Sequence, residues 1–170
     1  MTTSLTITSP PSTNGLVHPF LHHPQLPLPF NQFLSLLLEH LTLPTQASRC
    51  SLHCRNMDYY SSGQGVHPVE IRLERSPNHP QAWQLVFIAS FAYDVKGNKA
   101  LAPELYFNLK NAWFYQPDIQ DCELDRPEVL RLLNSWSLAF CRHLKQQQFN
   151  NISISEIHSP TPTTKRNHDE

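Results

Sequence analysis

The sequence is poor in glycine, with four in 170 residues. The backbone therefore has few positions that turn through positive φ without steric cost. Charge is sparse as well. Charged residues make up 16% of the chain, and the net charge is −1 with His neutral. That balance gives no general attraction to nucleic acid or to an anionic membrane, and neither partner is expected. The ten His are scattered, so no pH switch follows from them. Long apolar runs are missing, and the block at residues 33–38 is far too short to span a bilayer. Cysteine is limited to Cys50, Cys54, Cys122 and Cys141. An even number permits disulfides. Yet residues 1–15 hold no basic residue and no apolar run, so no secretory signal is expected. The expectation is free thiols in a reducing cytoplasm.

Proline, by contrast, is plentiful, with 15 in the chain. Pro10, Pro11, Pro19, Pro24 and Pro27 would break any helix in residues 1–28, which read as a disordered arm. Residues 16–23 could pack on the domain or meet a partner, but a loose arm is the default reading. Residues 29–157 have the length and patterning of a single domain with its own core. Residues 158–170 are polar and read as a disordered tail.

Two helices are predicted. Phe30, Phe33, Leu34, Leu37, Leu38 and Leu41 follow helical spacing over 30–42. Pro29 suits its opening turn and Pro44 prevents continuation. Val129, Leu132, Leu133, Trp136, Phe140 and Leu144 form the stripe of a second helix over 126–147. Asp125 and Glu128 have the spacing of a reciprocal cap. Strands are predicted by alternation at 49–57, 66–75, 82–93, 104–110, 113–115 and 150–157. In the second, Val69, Ile71 and Leu73 oppose Glu70, Arg72 and Glu74, which implies one buried and one wet face. In the third, Trp83, Leu85, Phe87, Ala89, Phe91 and Tyr93 share a face. Both of its faces are largely apolar, which places it centrally. Lys110-Asn111 reads as a two-residue turn and 117–124 as a polar connection. The fold class is α+β, in the order α-β-β-β-β-β-α-β. A curved antiparallel sheet of about five to six strands is packed by two helices.

The most distinctive stretch is residues 59–75. Gly63 and Gly65 sit in a polar segment, 57–65, read as a loop that feeds the second strand. The pattern begins with Asn56-x-x-Tyr59 and continues as Gly63-x-Gly65-x-His67-Pro68-Val69-Glu70-Ile71. Trp83-Gln84-Leu85-x-x-Ile88-x-x-Phe91-x-Tyr93 follows it. Together these residues resemble the uncharacterised family called domain of unknown function 2787. Members of that family are short bacterial proteins, chiefly gammaproteobacterial, some carried on mobile elements or integron cassettes. Pro103-Glu104-Leu105 and the late Trp-containing helix fit the same resemblance, which covers roughly residues 50–157. It implies an α+β fold and no activity, so no catalytic role is carried over. The Ser-Ser-Gly-Gln-Gly loop and the proline-rich arm depart from the family pattern.

His67, with Asp58 nearby in sequence, is the candidate catalytic pair, with His as general base. The competing account is a hydrogen-bonded histidine that holds the loop at the sheet edge. It is favoured because no acid or nucleophile is fixed by spacing. Gly63-Gln64-Gly65 lacks the GxxxxGK[ST] spacing and precedes a strand, which excludes a phosphate loop. Cys50-x-x-x-Cys54 has no second pair for structural zinc, and the cysteines read as buried, inert thiols. No metal or cofactor is expected. His18, His22 and His23 read as part of a solvated arm, and Lys165-Arg166 is too short a basic run for nucleic acid. Tyr59, Tyr60, Tyr106, Trp113 and Tyr115 could form an aromatic surface, with Trp113 assigned to the core and Tyr106 outward.

The candidate binding surface is Tyr59, Tyr60, Gly63, Gly65 and His67, with Glu70, Arg72 and Tyr106 on the wet sheet face. The leading expectation is a small cytoplasmic binding or interaction protein, an accessory factor of a mobile element. Its partner would be an unknown protein or a second copy, in a homodimer through a sheet edge or face. The rival is a small hydrolase-like enzyme using His67 with a loop carboxylate. The balance leans away from an enzyme.

Overall fold

A computed structural model of the protein describes residues 19–40, 46–94 and 100–158. The helices are α1 (Leu28–His40), α2 (Met57–Ser62) and α3 (Pro127–Lys145). The strands are β1 (Arg49–Arg55), β2 (Val69–Arg75), β3 (Trp83–Tyr93), β4 (Leu101–Asn108), β5 (Trp113–Gln116), β6 (Gln120–Glu123) and β7 (Asn151–Glu156). All seven strands form one antiparallel sheet in the order β6-β5-β4-β3-β2-β1-β7, with β3 at its centre. The α+β class and curved antiparallel sheet expected from the sequence are present.

Alternation gives the sheet two unlike faces. One row runs across every strand: Ile154, Leu52, Ile71, Ile88, Phe107, Phe114 and Cys122. Helices α1 and α3 pack on this face through an aromatic cluster. Phe30 lies 5.5 Å from Phe140, Trp136 stacks on Phe140 at 5.3 Å, and Phe107 meets Trp136 at 6.2 Å, centroid to centroid. Phe30, Phe107, Leu34 and Leu133 are fully buried. Each such side chain contributes roughly 1.5–3 kcal/mol by leaving water. A second row lies on the opposite, open face: Ser155, Ser51, Arg72, Phe87, Asn108, Trp113 and Glu123.

Strand β3 departs from the predicted alternation at Val86. Leu73 pairs with Leu85 but Arg72 pairs with Phe87, so Val86 is an extra residue opposite β2. Its carbonyl accepts from the N–H groups of Leu109 at 2.9 Å and Lys110 at 3.1 Å. A bulge of this kind shifts side-chain parity. Ile88 and Ser90 therefore follow Leu85 on the core face, and Phe87 and Ala89 turn to the open face. A second bulge lies on β4, where Ser90 pairs with Leu105 and Phe91 with Pro103, leaving Glu104 extra.

Other expectations change as well. Residues 117–124 are not only a connection, because Gln120–Glu123 pairs with β5 as an edge strand. Gln120 adopts φ 65° and closes a three-residue hairpin, whose Ile119 N–H donates to the Gln116 carbonyl at 3.1 Å. The turn at Lys110-Asn111 spans 109–112, with Ala112 at φ 54° and Asn111 N–H donating to Asn108 Oδ1 at 2.8 Å. Helix α3 has Arg126 as its N-cap and no side-chain cap bond, so the Asp125–Glu128 reciprocal cap is not made.

The later part of the proline-rich arm is packed on the domain. Phe20 is 8% exposed and forms a parallel bridge with Trp83. Leu21 N–H donates to the Trp83 carbonyl at 2.9 Å, and Trp83 N–H donates to the Pro19 carbonyl at 2.8 Å. Asn31 on α1 closes the arm from behind. Its side chain accepts from His23 N–H at 2.9 Å and donates to the His23 and Leu26 carbonyls, each at 3.1 Å. The rest of the predicted arm, the tail beyond residue 158, His18 and the Lys165-Arg166 pair lie outside the described residues.

Candidate functional site

The 57–65 segment, read from sequence as a loop, contains α2. Asn56 caps it by accepting from Asp58 N–H at 3.0 Å. Gly63 ends it in the left-handed region at φ 69°, with its N–H donating to the Tyr59 carbonyl at 2.8 Å. This is the usual task of glycine past a helix end. Gly65 sits at φ 110°, a backbone conformation that residues with a Cβ rarely adopt. Both glycines therefore have backbone tasks. Met57 N–H donates to Asn150 Oδ1 at 2.8 Å, tying α2 to the start of β7.

Tyr59 is 3% exposed and faces inward from α2. It stacks on Tyr93 at 5.3 Å and 15°, and its hydroxyl accepts from Tyr93 N–H at 3.3 Å. Tyr60 stays exposed, and its carbonyl accepts from the Tyr93 hydroxyl at 3.2 Å. His67 lies 5.0 Å from the Tyr59 ring, and its Nδ1 is 2.7 Å from Glu104 Oε2. Ser90 Oγ donates to the same carboxylate oxygen at 3.3 Å. The carboxylate that meets His67 is thus Glu104 and not Asp58. Asp58 instead offers its backbone carbonyl to the hydroxyls of Ser61 and Ser62. Glu104 stands within the quoted Pro103-Glu104-Leu105 step. Only the β4 bulge turns it toward His67, and no sequence spacing announces that.

The open face carries the second cluster. Ser51 Oγ donates to Glu70 Oε1 at 2.6 Å, Arg72 Nε donates to Ser51 Oγ at 2.6 Å, and an Arg72 terminal nitrogen donates to Glu70 Oε1 at 2.8 Å. Burial pushes the Glu70 carboxyl up, but the bonds from Ser51 and Arg72 and the Arg72 charge outweigh it and hold it below the usual carboxylate range. The Arg72 guanidinium sits 5.0 Å above the Phe87 ring. Phe87 meets Tyr106 at 4.8 Å, and Tyr106 stacks on Trp113 at 4.9 Å and 25°. All three rings are half-buried. Trp113, assigned from sequence to the core, belongs to this surface. The longer 109–112 turn sets its register opposite Asn108. Tyr106 and Tyr115 lie side by side across β4 and β5.

Of the residues singled out from sequence, Tyr59, Tyr60 and His67 meet at one end of the sheet, with Gly63 and Gly65 shaping that end. Glu70, Arg72 and Tyr106 meet on the open face. Phe87, Trp113, Ser51 and Glu104 join them without having been expected. Phe87 was hidden by the bulge, and Ser51 by its small size. Among the described residues no group of three or more His, Cys, Asp or Glu is placed to hold a metal ion. Cys50 and Cys54 are pushed up to about 12 by burial and are not activated thiols.

The described chain is a helix-backed, seven-stranded antiparallel sheet with one polar–aromatic face left open. Residues 29–155 match the family described as protein of unknown function DUF2787, and the chain belongs to that family. Two solved structures share the fold. One is a hypothetical protein from the VSP-II pathogenicity island of Vibrio cholerae, 19% identical, with TM-score 0.72, covering 82% of this chain and 99% of that one. The other is a conserved hypothetical protein from pathogenicity island VPI-2 of Vibrio cholerae, 24% identical, with TM-score 0.66, covering 80% of this chain and 99% of that one. No curated protein matches.

Proposed function

We propose that the protein is a small non-enzymatic binding protein of the cytoplasm, an accessory factor of a mobile element, and that its open sheet face receives a protein partner. One observation carries this reading: the continuous line of Arg72, Phe87, Tyr106 and Trp113, each in contact with the next. Arginine and large aromatics are the side chains that most often anchor protein interfaces. Here they stand on paired strands, and Ser51 and Glu70 fix Arg72 in place, so little side-chain entropy remains to be lost on binding. The pathogenicity-island origin of both structural neighbours supports the mobile-element assignment. Four unpaired cysteines support a reducing compartment. Among the described residues no helix is long and apolar enough to cross a membrane.

The test compares partners recovered from the native host by the wild-type protein and by folded Arg72→Ala, Tyr106→Ala and Tyr60→Ala variants. Loss of a hot-spot side chain is expected to lower recovery of a specific partner roughly tenfold for the first two variants. Tyr60→Ala should recover it as wild type does. Equal recovery by all four proteins would sink the assignment of this face.

The contact of 2.7 Å between His67 Nδ1 and Glu104 favours the hydrolase-like reading, because a carboxylate against one ring nitrogen is the arrangement that orients a general-base histidine. Against it, Ser90 donates to Glu104 rather than to His67, so the nucleophile–base bond of a serine hydrolase is not formed. Turnover of ester or phosphoester substrates that His67→Ala abolishes would install this reading. Turnover indifferent to His67→Ala would remove it.

A further inference from the structure

The two edges of the sheet are built differently. The β6 edge is four residues long, opens on a residue with positive φ, and carries Asp121 and Glu123. Short length and charge are devices that keep an edge from pairing with another chain. The β7 edge is two residues longer and carries no charge before Glu156 at its end. Its sequence is Asn151-Ile152-Ser153-Ile154-Ser155-Glu156, with no proline, no lysine and six unbroken pairs to β1.

The direction of its free backbone groups follows from register. Ile157 N–H donates to the Arg49 carbonyl at 3.0 Å, on the same pairing frame as Ser155 with Ser51 and Ser153 with His53. Antiparallel pairs alternate between bonded and non-bonded. The odd-numbered residues of β7 therefore bond to β1, and Ile152, Ile154 and Glu156 direct N–H and C=O outward. Among the described residues nothing pairs with that side. Ile152 and Ile154 also end two rows of the core face and remain only partly buried.

We propose that a second copy of this chain pairs with β7 antiparallel, about a twofold axis at Ser153. In that register Ile152 lies opposite Ile154 of the other copy and exchanges both backbone bonds with it. Asn151 lies opposite Ser155, and Ser153 opposite Ser153. Apolar meets apolar on the core face and polar meets polar on the open face. This self-complementarity selects a second copy over an unrelated peptide. The core row through Leu52 and Ile154 then continues into Ile152, Cys54 and Val69 of the partner. A net charge of −1 opposes this association only weakly. The contact of one short strand is below the size of a stable interface, so the dimer is weak, with dissociation in the micromolar-to-millimolar range.

The experiment is sedimentation velocity on the full chain from micromolar to millimolar concentration, with oxidative cross-linking of variants that carry one added cysteine, each compared with wild type and its four native thiols. Wild type should move from monomer to dimer mass, and Ser153→Lys, which sets two charges across the axis, should stay monomeric while retaining its circular dichroism. Ser153→Cys should cross-link on mild oxidation, because a non-bonded antiparallel pair places Cα atoms about 4.5 Å apart, within disulfide range. Ser155→Cys, which faces Asn151 of the other copy, should not. A wild type that stays monomeric throughout would overturn the proposal. So would dimerisation of Ser153→Lys at wild-type concentrations, or cross-linking of Ser155→Cys as fast as Ser153→Cys.

Discussion

Glu70 shows how one side chain can be both polar and structural. Its carboxylate lies between Ser51 and Arg72 and is largely screened from water. Because its folded pKa is depressed, its contribution is fully present above the unfolded value and is lost as pH falls through the folded one. Glu70→Gln is therefore expected to cost about 1–2 kcal/mol at neutral pH, with the gap to wild type closing under acid conditions. Urea unfolding of both proteins across an acid-to-neutral series checks this. A gap that persists unchanged in acid would contradict it. The parity of Glu70 and Arg72 was legible from simple alternation in 66–75, but their bond to Ser51 was not. Ser51 is 19 positions from Glu70 in sequence, and only the pairing of β1 with β2 sets them side by side. Glu104 gives the same lesson at His67, since it lies 37 positions away.

At the scale of elements, amphipathic periodicity found α1, α3 and the long strands because each buries a clear stripe. It did not find α2, which buries only Tyr59 and draws its definition from Asn56 and Gly63 at its ends. It did not find β6, whose Gln120, Asp121 and Glu123 are exposed and carry no alternation. Nor did it seat residues 19–28, where proline hides a short packed segment. Phe20 fills the space beside Trp83 where β4 no longer pairs with β3. Phe20→Ala is expected to lower stability by about 3–5 kcal/mol and to speed proteolysis between residues 19 and 28. Denaturant midpoints and a timed digest measure both. Wild-type values in the two assays would show that the segment only rests on the surface.

For the whole molecule, the sheet divides the chain into a dry side and a wet side. Burial holds Cys50 and Cys54 at about 12, so neither has a usable thiolate population near neutral pH. A thiol reagent at mildly alkaline pH should label them only after denaturation, as read by mass spectrometry. Rapid labelling of either in the folded protein would mean that the sheet opens locally between β1 and its neighbours. The open face and the β7 edge are distinct surfaces. A molecule that pairs through β7 would present two copies of the Arg72–Trp113 line on one continuous sheet.

The sequence alone determined the α+β class, the inward set of β2, the stripes of both long helices and the exclusion of a phosphate loop. Those properties depend on periodicity and on local steric rules that operate within about ten residues. Tertiary structure alone decided that Glu104 meets His67, that Phe87 and Trp113 face outward, and that Gly63 closes a helix rather than cradling a ligand. The reason is physical. Alternation carries parity only as far as the next bulge, and where a strand bulges is settled by the hydrogen bonds of the strands beside it.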